Sequence, residues 1–185
     1  MIATEKFNIK IQQATRSRIS ELDPNHIVFG KLFSDHMFSA DFKNNKWTDA
    51  NIIPYGPVLM SPSTSVFHYG QAIFEGMKAY KNDKGEIALF RPLDNHKRMN
   101  ISAERMAMPS IPQELFMQAL SQLVKLDKAW VPDAEGASLY IRPFIIGTDE
   151  FIGVKPSDNY RFYIITSSAG KYYNEPVRVL VETNY

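Results

Sequence analysis

The order of the predicted elements indicates an α+β fold for this 185-residue chain. Alternating apolar residues and turn signals predict strands in the first part of the chain, and two helical patterns follow. Apolar stretches at residues 139–146 and 160–166 then predict strands again. Strands, then helices, then strands are typical of an α+β domain rather than of alternating βαβ units. We therefore expect a mixed or antiparallel sheet with two main helices.

Two hairpins are predicted from alternation and turn chemistry. Residues 7–11 alternate apolar with polar and suggest a short half-buried strand. Strand-like residues 32–42 and 47–53 flank a polar turn and form the first predicted hairpin. Residues 77–80 and 86–90 flank Asn-Asp-Lys-Gly, a sequence that favours a tight turn, and form the second.

Two helices are predicted between the hairpins and the later strands. The first begins at Pro92 and runs to about Met106, and the second begins near Pro112. Ser110 and Gln113 have the spacing of a capping box. The second helix has one apolar face, which we expect to lie in the core. That face consists of Leu115, Phe116, Ala119, Leu120, Leu123 and Val124.

Composition argues against several classes of function. The net charge is +1, with 21 basic and 20 acidic residues interspersed, so nothing favours binding to nucleic acid or an anionic membrane. There are no cysteines, which excludes disulfides and thiol chemistry and favours a reducing compartment. No apolar stretch approaches the roughly 18 residues of a membrane helix. We expect a soluble, cytoplasmic protein.

The common catalytic motifs are missing from the sequence. The four histidines are not at metal-ligand spacing, so we expect no metal site. No serine lies in a Gly-x-Ser-x-Gly turn, and no glycine-rich phosphate loop follows a strand.

An aromatic run at residues 67–80 is the most distinctive motif. It combines four aromatic rings, two glycines and one carboxylate. Large rings beside glycines suit a pocket wall for a flat, apolar ligand. Taken alone, the run is more ordinarily interpreted as core filling, because a tyrosine and a phenylalanine five residues apart usually pack in a core.

Three polar residues suggest an anion site. Arg98 lies on the first helix, where a solvated face is the ordinary interpretation, but a guanidinium can also hold a phosphate. Tyr140 and Arg142 alternate along a strand and therefore share one face. An arginine in an apolar strand is costly unless an anion or carboxylate pairs with it. These residues favour a small anionic, partly apolar ligand and do not identify a reaction.

Several motifs, in order along nearly the whole chain, resemble the branched-chain amino-acid aminotransferases, which are pyridoxal-phosphate enzymes of fold type IV. The matching segments are residues 29–37, 67–80, 89–92, 97–99, 130–132, 138–143 and 147–154. The resemblance implies transfer of an amino group between leucine, isoleucine or valine and 2-oxoglutarate. It also implies that the cofactor, pyridoxal 5'-phosphate, supplies the electron sink.

The resemblance also assigns roles to individual residues. It implies that Arg98 holds the cofactor phosphate and that Tyr140 and Arg142 bind substrate carboxylates. Phe29, Tyr69 and Phe74 would line the pocket for the branched side chain. Val154 would reach the partner's site in a homodimer, and Tyr172 would lie in a loop that covers the substrate.

By the same resemblance, the chain is expected to be an N-terminal fragment. It would comprise a small domain at residues 1–166, an interdomain loop at 167–176 and the start of a large domain at 177–185, where residues 177–181 are expected to begin a strand. None of its lysines has the glycine-rich context of the family's Schiff-base lysine. We therefore expect no catalytic residue in this chain, no retained cofactor and no activity of the chain alone.

Two other functions stay open from the sequence. Fold type IV also contains D-amino-acid transaminases and aminodeoxychorismate lyase, although the Tyr-Ile-Arg-Pro motif at residues 140–143 argues against both. A non-catalytic domain that binds a small anion or a protein is the alternative outside enzymes.

Overall fold

In the computed structural model, which describes residues 7–24, 26–171 and 175–183, one curled, mostly antiparallel sheet carries the helices. The strands are β1 (Lys10–Ile11), β2 (His36–Lys43), β3 (Lys46–Pro54), β4 (Ala72–Phe74), β5 (Met77–Lys81), β6 (Ile87–Leu89), β7 (Ser138–Gly147) and β8 (Tyr160–Ala169). The α-helices are α1 (Ser65–Tyr69), α2 (Pro92–Arg105) and α3 (Gln113–Leu126), and short 3₁₀ helices cover Ile19–Glu21 and Lys128–Trp130. This α+β architecture confirms the predicted fold class.

The sheet is built around the two longest strands. Its order is β1-β3-β2-β8-β7-β5-β6, and β4 pairs separately with β7. Strands β7 and β8 are antiparallel over their full ten-residue lengths, from Ser138 opposite Ala169 to Gly147 opposite Tyr160. This long pairing fixes which side chains of β7 face each side of the sheet.

Both predicted hairpins form, with local turn chemistry that accounts for them. Between β2 and β3, Asn44 and Asn45 have φ values of 52° and 59°, in the left-handed region that asparagine tolerates. Between β5 and β6, Gly85 has a φ of 76°. The Asn82 side-chain oxygen accepts bonds from the backbone N–H groups of the second hairpin turn, at 2.8 and 3.0 Å.

The predicted apolar face of α3 lies in the core. All six of its predicted core residues are buried, and the helix contacts β2. The Phe116 ring stacks on Phe162 of β8, with 6.2 Å between centroids. From α2, Met99 and Ala103 are fully buried in the same core. Helix and sheet therefore bury their apolar sides against each other.

The capping box predicted for α3 is wrong. The N-cap of this helix is Pro112, and no side chain of the described residues caps it. Ser110 therefore lies two residues too early to serve as the cap. Its carbonyl instead accepts a bond from Trp47 Nε1 at 2.9 Å, which ties the turn before α3 to the β2–β3 hairpin.

The first strand is shorter than the alternation at residues 7–11 predicts. Only Lys10 and Ile11 pair with β3, in parallel register. Phe7 and Ile9 are partly buried against the core without belonging to the strand. At Phe7 and Ile9, the apolar alternation therefore marks residues that contact the core and not residues that pair in the sheet.

Two acids, the buried Asp127 and the partly buried Asp35, anchor the segment between β1 and β2. Asp127 accepts a bond from His36 Nδ1 at 2.6 Å, and Ala14 N–H donates to His36 Nε2 at 2.9 Å. Nδ1 therefore carries the proton. Asp35 accepts a bond from Arg18 N–H at 2.7 Å. Burial acts to raise the pKa of Asp35, but hydrogen bonds outweigh it and the pKa is lowered.

The C-terminal part differs from the sequence-based expectation in two ways. Strand β8 continues to Ala169, three residues past the strand end expected at residue 166, because its pairing with β7 extends that far. Residues 177–181 form no strand within the described part of the chain, and Val179, Leu180 and Val181 are strongly exposed. No described helix is long and apolar enough to span a membrane.

We expect Leu120→Ala to destabilise the fold by roughly 2–5 kcal/mol, because its fully buried side chain packs in the core. Leu59→Ala is the matched control, since Leu59 is 99% exposed, and it should change stability by less than about 0.5 kcal/mol. Chemical denaturation measures both. Equal free energies of unfolding for the two variants would contradict the placement of α3 in the core.

Candidate active site

Strand β7 presents an apolar face and a polar face. Successive side chains of a strand point to opposite sides. Leu139 and Ile141 are therefore fully buried in the core, whereas Tyr140 and Arg142 are half-buried on the other face. Arg142 Nε and Nη2 donate to the Tyr140 hydroxyl at 3.0 and 2.8 Å. The two side chains form one polar unit, as their spacing predicts.

Two aromatic rings from other parts of the chain complete this cluster. Phe29, in the loop before β2, meets the Tyr140 ring edge-on, with 4.9 Å between centroids. The Arg142 guanidinium lies 4.2 Å from the centroid of the Phe74 ring on β4, an attractive cation–π distance. A cavity of about 200 Å³ lies beside the cluster. Its lining includes Phe29, Phe33, Tyr140, Arg142, Ile165 and Thr166.

Tyr140 also lines a second, larger cavity of about 460 Å³. The rest of this lining comes mainly from the start of β5 and from α2. It includes Gly76, Lys78, Tyr80, Asp94, Asn95 and Arg98. One tyrosine thus borders both cavities. Arg142 lines the smaller cavity, and Arg91 and Arg98 line the larger one.

A buried carboxylate holds Arg98 at the larger cavity. Arg98 Nε and Nη2 donate to the two oxygens of Glu75, at 2.6 and 2.7 Å. The Glu75 side chain is 4% exposed, but that of Arg98 is 68% exposed. Burial acts to raise the pKa of Glu75, yet the bonds from Arg98 and Asn95 outweigh it and lower the pKa. The ion pair in turn raises the pKa of Arg98.

Both arginines retain capacity to bind an anion. Within the described part of the chain, Arg142 forms no ion pair with a carboxylate. Arg98 Nη1 likewise has no hydrogen-bond partner among the described residues. Guanidinium groups bind carboxylates and phosphates well through paired N–H groups. The arrangement therefore suits a ligand with two anionic groups and an apolar part.

Comparison with curated proteins gives a consistent result. The chain is 51% identical to branched-chain-amino-acid transaminase 1 of Bacillus subtilis over 168 residues, which is 88% of this chain and 47% of that protein. This chain is homologous to the branched-chain amino-acid aminotransferases. It is also 46% identical to aminotransferase 2 of the same organism over 184 residues, 97% of this chain and 50% of that protein. The chain thus spans about half the length of the curated relatives it matches.

Solved aminotransferase structures share the fold. A branched-chain amino acid aminotransferase from T.th., solved with pyridoxamine 5'-phosphate, matches with a TM-score of 0.53 and 27% identity, covering 74% of this chain and 41% of that chain. The same enzyme complexed with N-(5'-phosphopyridoxyl)-L-glutamate matches with a TM-score of 0.52 and 26% identity, covering 69% and 40%. No protein-family model matches the chain.

The structure brings together five of the residues that resemblance to the aminotransferases singles out. Phe29, Phe74, Tyr140 and Arg142 are joined by direct contacts, and Arg98 shares a cavity with Tyr140. Their roles in binding stay predictions.

Two of the other three candidates lie away from this cluster. Tyr69 ends α1, and Val154 lies in the loop between β7 and β8 with 94% of its surface exposed. Neither lines the two cavities. Tyr172 lies outside the described residues.

The aromatic run at residues 67–80 does not fill the core. Its rings at Phe67, Tyr69, Phe74 and Tyr80 are all exposed, so the core-filling alternative is wrong for these four. The run is divided among α1, β4 and β5. Tyr80 lines the larger cavity, and Phe74 contacts the Arg142 guanidinium without lining either cavity. The pocket-wall alternative stays a prediction.

Sequence reasoning gave no role to Glu75, Gly76 or Asn95. A usable signal was present for Glu75, because it is the single carboxylate in a run of rings and glycines. A buried carboxylate requires a cationic or hydrogen-bonding partner. Arg98 is that partner, but the pairing spans 23 positions and cannot be predicted from local spacing.

We expect Gly76→Ala to displace Tyr140 from Arg142. A Cβ on Gly76 would lie 2.6 Å from the Tyr140 hydroxyl oxygen and 3.3 Å from ring carbons, so the ring must move. Such overpacking costs roughly 1–3 kcal/mol in the free energy of unfolding, measured by chemical denaturation.

Gly56→Ala is the matched control, because a Cβ there meets nothing within 4 Å. It should be neutral or slightly stabilising. Equal stability of the Gly76→Ala and Gly56→Ala proteins would show that the close approach to Tyr140 does not constrain this position.

The Glu75–Arg98 pair predicts a pH dependence. Since the pKa of Glu75 is lowered on folding from 4.5, its stabilisation is fully present above that pH and is lost as pH falls through the lower folded value. Glu75→Gln has no such group, so its stability should fall less steeply in acid than that of the unsubstituted protein. Denaturation curves across the acid range measure this, and parallel losses in both proteins would contradict it.

Proposed function

We propose that the protein containing this chain is a pyridoxal-phosphate-dependent transaminase that moves an amino group between leucine, isoleucine or valine and 2-oxoglutarate. Homology to branched-chain aminotransferases supports this type of reaction. The proposal for this site rests on the environment of Arg142. It is a half-buried cation with no carboxylate partner among the described residues, and it is surrounded by aromatic rings. A substrate carboxylate supplies the missing charge.

The residues at the larger cavity fit the cofactor. Its phosphate requires strong donors, and Arg98 offers a guanidinium with a free Nη1 among the described residues, held at a cavity of about 460 Å³. Tyr80 and Tyr140 add ring surface to the same cavity. When bound, pyridoxal phosphate supplies the electron-withdrawing ring on which amino-group transfer depends.

The chain's own residues orient the substrate. Arg142 binds a carboxylate through N–H groups. The Tyr140 hydroxyl accepts two bonds from Arg142, and its own proton, which no described residue accepts, can be donated to the same anion. Phe29 and Phe74 offer apolar surface for a branched side chain beside this ion pair.

The proposal includes a cytoplasmic homodimer in which Val154 reaches the partner's site and Tyr172 lies in a loop over the substrate. Resemblance to the family supports both roles. The strong exposure of Val154 is compatible with insertion into another subunit.

Other fold type IV reactions are not favoured, because the relatives with high identity are branched-chain aminotransferases. Activity on leucine compared with D-alanine distinguishes a branched-chain enzyme from a D-amino-acid transaminase. A preference for D-alanine would contradict the proposed substrate class.

Arg142→Gln should lower kcat/KM for leucine by roughly 10- to 150-fold in the protein containing this chain, because a charge-assisted bond to the carboxylate is lost. Arg105→Gln is the matched control, since Arg105 is exposed at the end of α2 and lines neither cavity. It should retain the original kcat/KM. Undiminished activity of Arg142→Gln would contradict the role of Arg142 in binding substrate.

A further inference from the structure

The contribution of Glu75 to phosphate binding depends on two opposing effects. By charge alone, a carboxylate next to Arg98 neutralises the guanidinium and repels a phosphate. By geometry, the same carboxylate fixes the Arg98 side chain, which is long and largely exposed. Without Glu75, this side chain would lose rotamer freedom when a ligand binds. The first effect weakens anion binding and the second strengthens it. Whether Glu75 raises or lowers the affinity for phosphate therefore shows which effect is larger.

The geometry favours the second effect, because the carboxylate is itself fixed. Glu75 N–H donates to the Pro143 carbonyl of β7 at 2.9 Å. Asn95 Nδ2 and Gly76 N–H donate to Glu75 Oε2 at 3.0 and 3.3 Å. The carboxylate is therefore attached both to the sheet and to α2, and it cannot follow a freely moving arginine.

The pairing also uses a specific edge of the guanidinium. Glu75 occupies Nε and Nη2 of Arg98 through two near-parallel donors to its two oxygens. This bidentate contact fixes the plane of the guanidinium and leaves Nη1 without a partner in the described part of the chain. Arg98 also lines the larger cavity.

We propose that Glu75 is a positioning residue, which holds the Arg98 guanidinium in the orientation that binds the cofactor phosphate and thereby strengthens binding despite its negative charge. This inference rests on the proposed function, because it assumes that Arg98 binds that phosphate.

The test compares dissociation constants of pyridoxal 5'-phosphate and pyridoxal for the protein containing this chain. The phosphate preference is the ratio of the Kd of pyridoxal to the Kd of pyridoxal 5'-phosphate. A change in this ratio between variants isolates the phosphate, because any other difference between the two probes, including the cyclic hemiacetal that pyridoxal forms, is the same for every variant. Glu75→Asp keeps the charge but retracts the carboxylate, and Glu75→Gln keeps the length but loses the charge. If Glu75 acts by position, both variants lower the ratio, by roughly tenfold as for supporting partners of bound ions.

Asp94→Asn is the charge-matched comparison. Asp94 lines the same cavity but pairs with Arg91 instead of Arg98. Removing its charge should leave the phosphate preference the same or slightly raise it. If Glu75 acted by charge alone, Glu75→Gln and Asp94→Asn would both raise the ratio and Glu75→Asp would leave it unchanged. That result would overturn the proposal.

Two controls separate the possible causes of failure. Thermal unfolding confirms that each variant is folded at the assay temperature. If the Glu75 variants do not fold, Asn95→Ala removes one bond to the carboxylate without changing any charge, and it should lower the ratio by a smaller factor. An unchanged ratio in Asn95→Ala would then count against positioning.

Arg98→Gln tests the assumption about the phosphate itself. If it lowers the ratio but the Glu75 variants do not, the positioning role fails and the phosphate role of Arg98 remains. If Arg98→Gln leaves the ratio unchanged, the proposed cofactor site is wrong.

Discussion

The alternation of β7 is the constraint on which the rest of the site depends. Its odd-numbered residues, including Leu139 and Ile141, fill the core beneath the helices, so Tyr140 and Arg142 must face the other way. A one-residue slip against β8 would place the arginine in the core and the leucine in the site. The ten-residue pairing with β8, together with β4 and β5 on the other side, opposes such a slip.

The two arginines of the site are stabilised in different ways. Arg98 is exposed and has a buried carboxylate partner, whereas Arg142 is half-buried and, among the described residues, contacts a tyrosine hydroxyl and an aromatic face but no carboxylate. Partial burial of a cation without a counterion is unfavourable, so a bound carboxylate would offset a cost in stability at Arg142. Arg98 requires no ligand for stability. This difference agrees with the proposal that Arg98 binds a cofactor that stays bound and that Arg142 binds a substrate that exchanges.

Much of the fold follows from local sequence patterns. The apolar face of α3 and the two hairpin turns are predicted correctly, because helical periodicity and turn chemistry are local properties. The alternation of Tyr140 and Arg142 is equally local, and it predicts that the two side chains meet. Resemblance to the aminotransferases adds Phe29, Phe74 and Arg98, which no short-range rule connects.

The remaining errors and omissions arise from contacts between distant residues. Ser110 fails as a cap because α3 begins at a proline N-cap and the serine carbonyl bonds Trp47 instead. Residues 177–181 have a strand-like sequence, but no described strand pairs with them. The pairing of Glu75 with Arg98 and the contact of Gly76 with Tyr140 both depend on how β5, α2 and β7 come together.

The central claim is that two cavities sharing Tyr140 bind the two ends of one cofactor–substrate unit. The most direct measurement is a crystal structure of the protein containing this chain with N-(5'-phosphopyridoxyl)-L-leucine, a stable analogue of that unit. We expect its phosphate within hydrogen-bond distance of Arg98 and its amino-acid part beside Tyr140 and Arg142. A phosphate bound away from Arg98, or a leucine side chain away from Phe29 and Phe74, would contradict the claim.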